Sequence, residues 1–154
     1  MFTTLDGYGW STLKPNNTSE DRFKILHSEI MMYFQCIEFD LKRIYSGMSS
    51  GDFDDVMDML ETSNLGNTIR MLKSLDESDG DPWLTKDDFE QLNRIREIRN
   101  YWVHQCYLDF IYIDDDWQRQ SKKQRILNRL INEHRQIEKL HYKLEECYFD
   151  WFGG

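Results

Sequence analysis

Apolar residues recur at three-and-four spacing along most of this chain, the signature of helices that each bury one face. Phe23, Leu26, Ile30, Tyr33, Phe34, Ile37, Leu41 and Ile44 trace the first stripe. They predict a helix that opens at the cap-like Thr18-Ser19-Glu20-Asp21 and ends near Ser46-Gly47. A second helical region starts at Asp52 with Phe53, Val56, Met57 and Leu60. Ser63-Asn64-Leu65-Gly66 is a candidate interruption before Ile69, Leu72 and Leu75 resume the pattern. The run from Asp76 to Pro82 reads as a loop of turn residues closed by a helix breaker.

Thr85-Lys86-Asp87-Asp88 reads as the cap of a third helix, expected to run to about Ile113. Asp114-Asp115-Asp116 is expected to stop it, because carboxylates oppose the negative end of the helix dipole. Ser121-Lys122-Lys123-Gln124 has a capping-box pattern, which places the start of the fourth helix there or a few residues earlier. That helix carries Leu127, Leu130, His134, Ile137, His141, Leu144, Tyr148 and Trp151 on one side. Residues 1–17, with Gly, Thr, Asn and Pro15, are expected to form an irregular N-terminal arm. Residues 18–154 are expected to form one all-α domain, an up-and-down bundle of about four to five helices.

Composition narrows the function classes. The chain has 154 residues, 40% apolar and 31% charged, with a formal net charge of −9. Phosphate neutralisation supplies most of the affinity of bulk nucleic-acid binders, so this balance argues against nucleic-acid packaging. It is only mildly unfavourable to a nuclease with a local basic site. No apolar run approaches the roughly 18–20 residues that span a bilayer, and the first residues lack a basic region ahead of an apolar one. A cytoplasmic protein without membrane contact is therefore expected. Cys36, Cys106 and Cys147 are far apart and lie within helical apolar patterns, as reduced core thiols do.

The unusual segment is Arg99-Asn100-Tyr101-Trp102-Val103-His104. On a helix continuing to Ile113, Leu92, Ile95, Trp102, Val103, Cys106 and Phe110 share one broad face, and Arg99 falls inside it. Tyr101, Leu108 and Tyr112 make a second apolar patch nearly opposite, as in a helix enclosed by neighbours or shared with a partner subunit. A guanidinium in such a stripe needs water, a carboxylate or a phosphate, because an unpaired buried charge is costly. Glu97, Asn100 and His104 form a polar strip between the patches, with Asn100 and His104 four residues apart on one side.

A permanent cation beside a titratable imidazole suits RNA transesterification. Histidine can take the 2′-OH proton or protonate the leaving oxygen, and arginine can hold phosphate oxygens at two points. The same residues would also fit an Arg99–Glu pair with His104 as a bonded core histidine.

Arg99-Asn100 followed by His104 is similar to the Arg-x4-His motif of HEPN domains, where a polar residue such as Asn often follows the arginine. The helical layout over about residues 20–150 agrees with that family. The resemblance implies a metal-independent endoribonuclease without cofactor, acting as a homodimer whose two motifs meet across a groove. Arg99 and His104 would be catalytic, with Asn100 supporting them, and Arg96, Glu97 and Tyr107 would contact RNA or support the site. It also implies a role in phage defence, toxin–antitoxin pairing or stress response, with an antitoxin or defence protein as partner. In HEPN toxins paired with a nucleotidyltransferase antitoxin, a tyrosine follows the histidine by two residues. Here Gln105-Cys106 separate His104 from Tyr107, a departure from that branch. The alternative is a catalytically inactive HEPN-like module that binds a protein, nucleotide or RNA.

Two weaker signals remain. Glu138-Lys139-Leu140-His141, with His134 one heptad earlier, has the Glu-x-x-His spacing of di-iron bundles, but a second copy is missing. Arg94, Arg96 and Arg99 with Lys122, Lys123, Arg125 and Arg129 could form a basic patch or ordinary surface charge. Tyr8, Trp10, Trp151 and Phe152 offer aromatic groups near the termini, and His27 has no evident partner in the sequence.

Overall fold

The computed structural model describes residues 19–153 apart from Asp79, and all of its regular structure is helical. The six described helices are α1 (Ser19–Met48), α2 (Phe53–Leu60), α3 (Leu65–Glu77), α4 (Lys86–His104), α5 (Leu108–Ile111) and α6 (Asp116–Phe152). The expected all-α bundle is present, with more helices than the expected four to five. The irregular arm expected for residues 1–17, with Tyr8 and Trp10, lies outside the described residues, as does Thr18. No described helix is long and apolar enough to cross a membrane.

α1 is the central element and packs against α2, α3, α4 and α6. Its stripe lines the core as its periodicity predicts: Phe23, Ile30, Phe34, Ile37, Leu41 and Ile44 are at most 2% exposed. α6 supplies Ile126, Leu127, Leu130, Ile137 and Leu144 from the opposite side. These two helices run parallel. His134 Nε2 lies 2.7 Å from Glu29 Oε2, the Tyr33 hydroxyl donates to Glu138 at 3.2 Å, and His141 Nδ1 lies 3.2 Å from Asp40 Oδ2. At the far end, the Phe152 ring packs over Gly47, where an added Cβ would come within 2.8 Å and push the ring aside. α4 runs antiparallel to α1, with His27 against Trp102 and Phe23 against Tyr107 and Phe110.

Helix starts follow the sequence signals. Asp52, Asn64 and Thr85 cap α2, α3 and α4, and Thr85 and Asp88 form a reciprocal capping box. Ser63-Asn64 does interrupt the second helical region, dividing it into α2 and α3. Asp76 is a helical residue of α3 and not part of the loop expected there.

Two boundaries differ from the periodic reading. The third predicted helix stops at His104, not near Ile113, and a turn leads into the single-turn α5. Both Gln105 N and Cys106 N donate to Tyr101 O, at 2.9 and 3.0 Å, which closes the helix. The break carries Cys106 and Phe110 into the core, where they are 1% and 5% exposed. It leaves Val103, Leu108 and Tyr112 at the surface, 43%, 52% and 78% exposed, so the continuous two-sided stripe does not exist. The acidic triplet acts in the other direction from the one expected. Asp115 caps α6 by accepting from Gln118 N at 2.7 Å, and Asp116 sits in its first turn, where carboxylates favour the positive dipole end. Ser121 consequently lies inside α6.

Candidate functional site

The end of α4 is held by side chains that the sequence motif does not include. Trp102 is fully buried, and its Nε1–H donates to Glu133 on α6. Glu133 also accepts from Arg129 Nε at 2.8 Å, and the Arg129 guanidinium stacks 3.8 Å from the Tyr101 ring centroid. Such a planar cation over an aromatic face gains from the ring quadrupole while staying close to water. The Tyr101 hydroxyl donates to Asp109 Oδ2 and Gln105 Nε2 to Asp109 Oδ1, both at 2.9 Å. Asp109 therefore ties the last turn of α4 to α5. Its carboxyl is held below the ordinary value, first by the Gln105 hydrogen bond and then by that of Tyr101. Burial, aided by the Asp109 hydrogen bond, pushes the Tyr101 phenol up to about 12.

His27 completes the clamp. Its Nε2–H donates to the Trp102 carbonyl at 2.9 Å, so the bond fixes a proton on that nitrogen. The same carbonyl accepts from Cys106 Sγ at 3.4 Å. Orphan carbonyls at a helix C-terminus require such donors. The His27 ring also meets Tyr107 edge-on at 5.2 Å and stacks on Phe23.

Against this frame, the motif residues are free. Arg99 is half-buried, and Asn100 and His104 are exposed. Among the described residues, none of the three side chains forms a hydrogen bond or ion pair, with each other or with another group. The Arg99–Glu pair and the bonded core histidine, both compatible with the sequence, are absent among the described residues. At about 100° per residue, Asn100 and His104 share a side of α4, whereas Arg99 points about 140° away from His104. Arg96 and Glu97 are exposed. The Arg96 side chain lies over Gly66 of α3, where a Cβ would come within 3.1 Å of Arg96 Cδ. Tyr107 packs between Phe23, His27 and Phe110, and burial raises its phenol above the ordinary value.

Several apolar residues near this helix end in sequence are open, although Trp102, Cys106 and Phe110 are buried. Val103, Leu108, Ile111, Tyr112 and Trp117 are 43–78% exposed.

The other signals resolve into packing. His134 and His141 address separate α1 carboxylates, Glu29 and Asp40. Among the described residues, no group of three His, Cys, Asp or Glu is placed to hold a metal ion. Of the basic residues of the expected patch, Arg129 serves Glu133 and Tyr101, Lys122 and Arg129 both act on Asp109, and Lys123 lies 5.7 Å from the Phe110 ring. The three thiols are free, and burial raises all of them, Cys106 to about 11.

His27, Asp109, Arg129 and Glu133 escaped the sequence reading as parts of this site. Only Arg129 carried a signal, as a member of the basic run.

In comparisons with known proteins, the chain matches no family model, no curated protein and no solved structure.

Proposed function

We propose that the protein is a metal-independent endoribonuclease of the HEPN type, acting as a homodimer in defence, toxin–antitoxin pairing or stress response. One observation carries the reading: Arg99, Asn100 and His104 have no partner among the described residues, while their neighbours Tyr101 and Trp102 are clamped. The clamped helix end thus leaves the Arg99 cation open on one side, and the Asn100 amide and His104 imidazole on another, for external ligands.

His104 would take the proton of the ribose 2′-OH as that oxygen attacks the adjacent phosphorus; the P–O5′ bond breaks, and the departing 5′-oxygen takes a proton from the imidazolium so formed or from water. Arg99 would hold the phosphate oxygens as charge builds on them, and Asn100 would orient the reacting group. The angular separation of Arg99 from His104 favours a composite site in which one chain supplies the cation and its partner the imidazole. Val103, Leu108, Ile111, Tyr112 and Trp117, all exposed and within 13 residues of His104 in the chain, are the apolar groups such a dimer would cover. The net charge of −9 favours the second reading, a non-catalytic module that binds a protein, nucleotide or RNA partner.

The test is cleavage of a labelled single-stranded RNA in EDTA. Wild type should leave 2′,3′-cyclic phosphate ends and spare a substrate with 2′-deoxyribose at the cut. His104→Ala should lose about 10²–10⁴-fold in rate while its unfolding free energy stays within about 0.5 kcal/mol, since the side chain is exposed and unbonded. Mixing Arg99→Ala with His104→Ala chains should restore part of the activity through heterodimers with one intact site. Intact RNA with wild type, or cleavage that survives His104→Ala, overturns the proposal in favour of the binding module.

A further inference from the structure

A groove runs between α4 and α6 on a different side of α4 from Asn100 and His104. Its larger part, about 410 Å³, has an aliphatic floor of Ile95, Ile98, Ile137 and Leu140. It continues past Leu140 and Lys143 into a second part of about 210 Å³ that reaches Leu144, Cys147 and Trp151. Trp83, meeting Trp151 edge-on at 4.7 Å, stands at that end. The Trp102–Glu133 bond spans the two helices beyond the other.

The rim of the larger part is cationic in a chain whose net charge is −9, and the second part carries Asp88 beside Lys143. Arg94, Lys139 and Lys143 line the larger part, and no acidic residue does. Arg94 and Lys139 have no ion pair among the described residues, and Lys143 reaches Asp88 only at 3.8 Å.

We propose that this groove docks an amphipathic helix of a partner protein, with an apolar stripe flanked by Asp and Glu. Three features select that occupant. On the α6 wall Ile137, Leu140, Leu144, Cys147 and Trp151 recur at three-and-four steps, and on the α4 wall Leu92, Ile95 and Ile98 lie three apart, which makes the ridges that helix side chains fit between. From Gln136 to Trp151 the α6 wall extends about 22 Å at 1.5 Å per residue, the length of a helix of about 15 residues. The aliphatic floor of the larger part offers no ring on which a nucleobase could stack, while the cations complement carboxylates beside an apolar stripe.

The probe is a fluorescein-labelled peptide of about 16 residues with Leu at heptad positions a and d and Glu at e and g. Its control carries Lys in place of Glu. The full chain should bind the Glu peptide saturably in fluorescence anisotropy, and the Lys peptide at least about tenfold more weakly. The double variant Lys139→Glu/Lys143→Glu should reverse that preference, and added salt should weaken the wild-type complex. Ile98→Asp should abolish binding; the rim variant, which alters only surface lysines, keeps the test valid if the floor variant fails to fold. Absent saturable binding, equal affinity for the two peptides, or an unchanged preference in the rim variant overturns the proposal. Displacement of the Glu peptide by oligouridylate would overturn it in favour of a nucleic-acid path. Self-association of wild type lost in Ile98→Asp would overturn it in favour of a second copy of this chain.

Discussion

His27 donates a hydrogen bond to the carbonyl of Trp102, 75 residues later, joining the first long helix to the last turn of α4. Trp102 lies between Arg99 and His104 in the chain, so the position of the motif depends on an imidazole outside it. The carbonyl is one of those a helix end leaves without an internal partner.

His27→Ala should therefore cost about 1–2 kcal/mol, combining the lost hydrogen bond with lost ring packing on Tyr107 and Phe23. Urea unfolding followed by tryptophan fluorescence measures this. Backbone amides of residues 100–106 should also exchange faster with solvent deuterium, because the helix end loses its tether. Unchanged exchange there would mean that Glu133 and Asp109 suffice to hold the end.

The Tyr101–Asp109 bond gives stability a defined pH dependence. The Tyr101 phenol is raised from 10.0 to about 12 in the folded chain. Its contribution is fully present below the unfolded value and is lost as pH rises through the folded one. The Asp109 carboxyl is lowered in the folded chain, so its contribution is present above the unfolded value and is lost as pH falls through the folded one. Tyr101→Phe should flatten the loss of stability across the alkaline window between those two phenol values. A residual alkaline slope should remain from the other groups that burial raises, Tyr33, Tyr107, Cys36, Cys106 and Cys147. The unfolding midpoint of both proteins against pH measures the difference, and identical alkaline slopes would remove Tyr101 as its source.

Asp76 holds the entry to α4. It is 1% exposed, and its two oxygens accept from Trp83 N at 2.8 Å and Leu84 N at 2.9 Å. Asp76→Ala should cost about 2–3 kcal/mol, because it strands two backbone donors at once. Thr85→Ala, which breaks only the capping box, should cost about 1 kcal/mol. Denaturant titration at constant slope ranks the two, and the reverse order would show that the linker is held chiefly by the cap.

Much of the fold is legible in the pattern of apolar positions. The α1 stripe from Phe23 to Ile44 is buried except for the half-buried Leu26, and the α6 stripe is buried at Leu127, Leu130, His134, Ile137 and Leu144 and half-buried at His141, Tyr148 and Trp151. Periodicity succeeds there because helical geometry is local and burial acts on one face. It fails after His104. No Gly or Pro marks the break, and the alternative conformation is held by Asp109, by the doubly used Tyr101 carbonyl and by burial of Cys106 and Phe110. A rule that reads turn residues has nothing to detect there.

The candidate site divides in the same way. The sequence by itself determined which groups stand in the motif: a guanidinium at Arg99, an amide at Asn100 and an imidazole at His104. Tertiary structure decided that the intervening Tyr101 and Trp102 are committed to Asp109 and Glu133, and that His27 anchors the turn between them. It also paired α1 with α6 in parallel, through contacts separated by 101 and 105 residues. The physical reason is range. Spacing encodes which face of a helix is apolar, whereas the partner of a polar side chain depends on where distant helices come to rest.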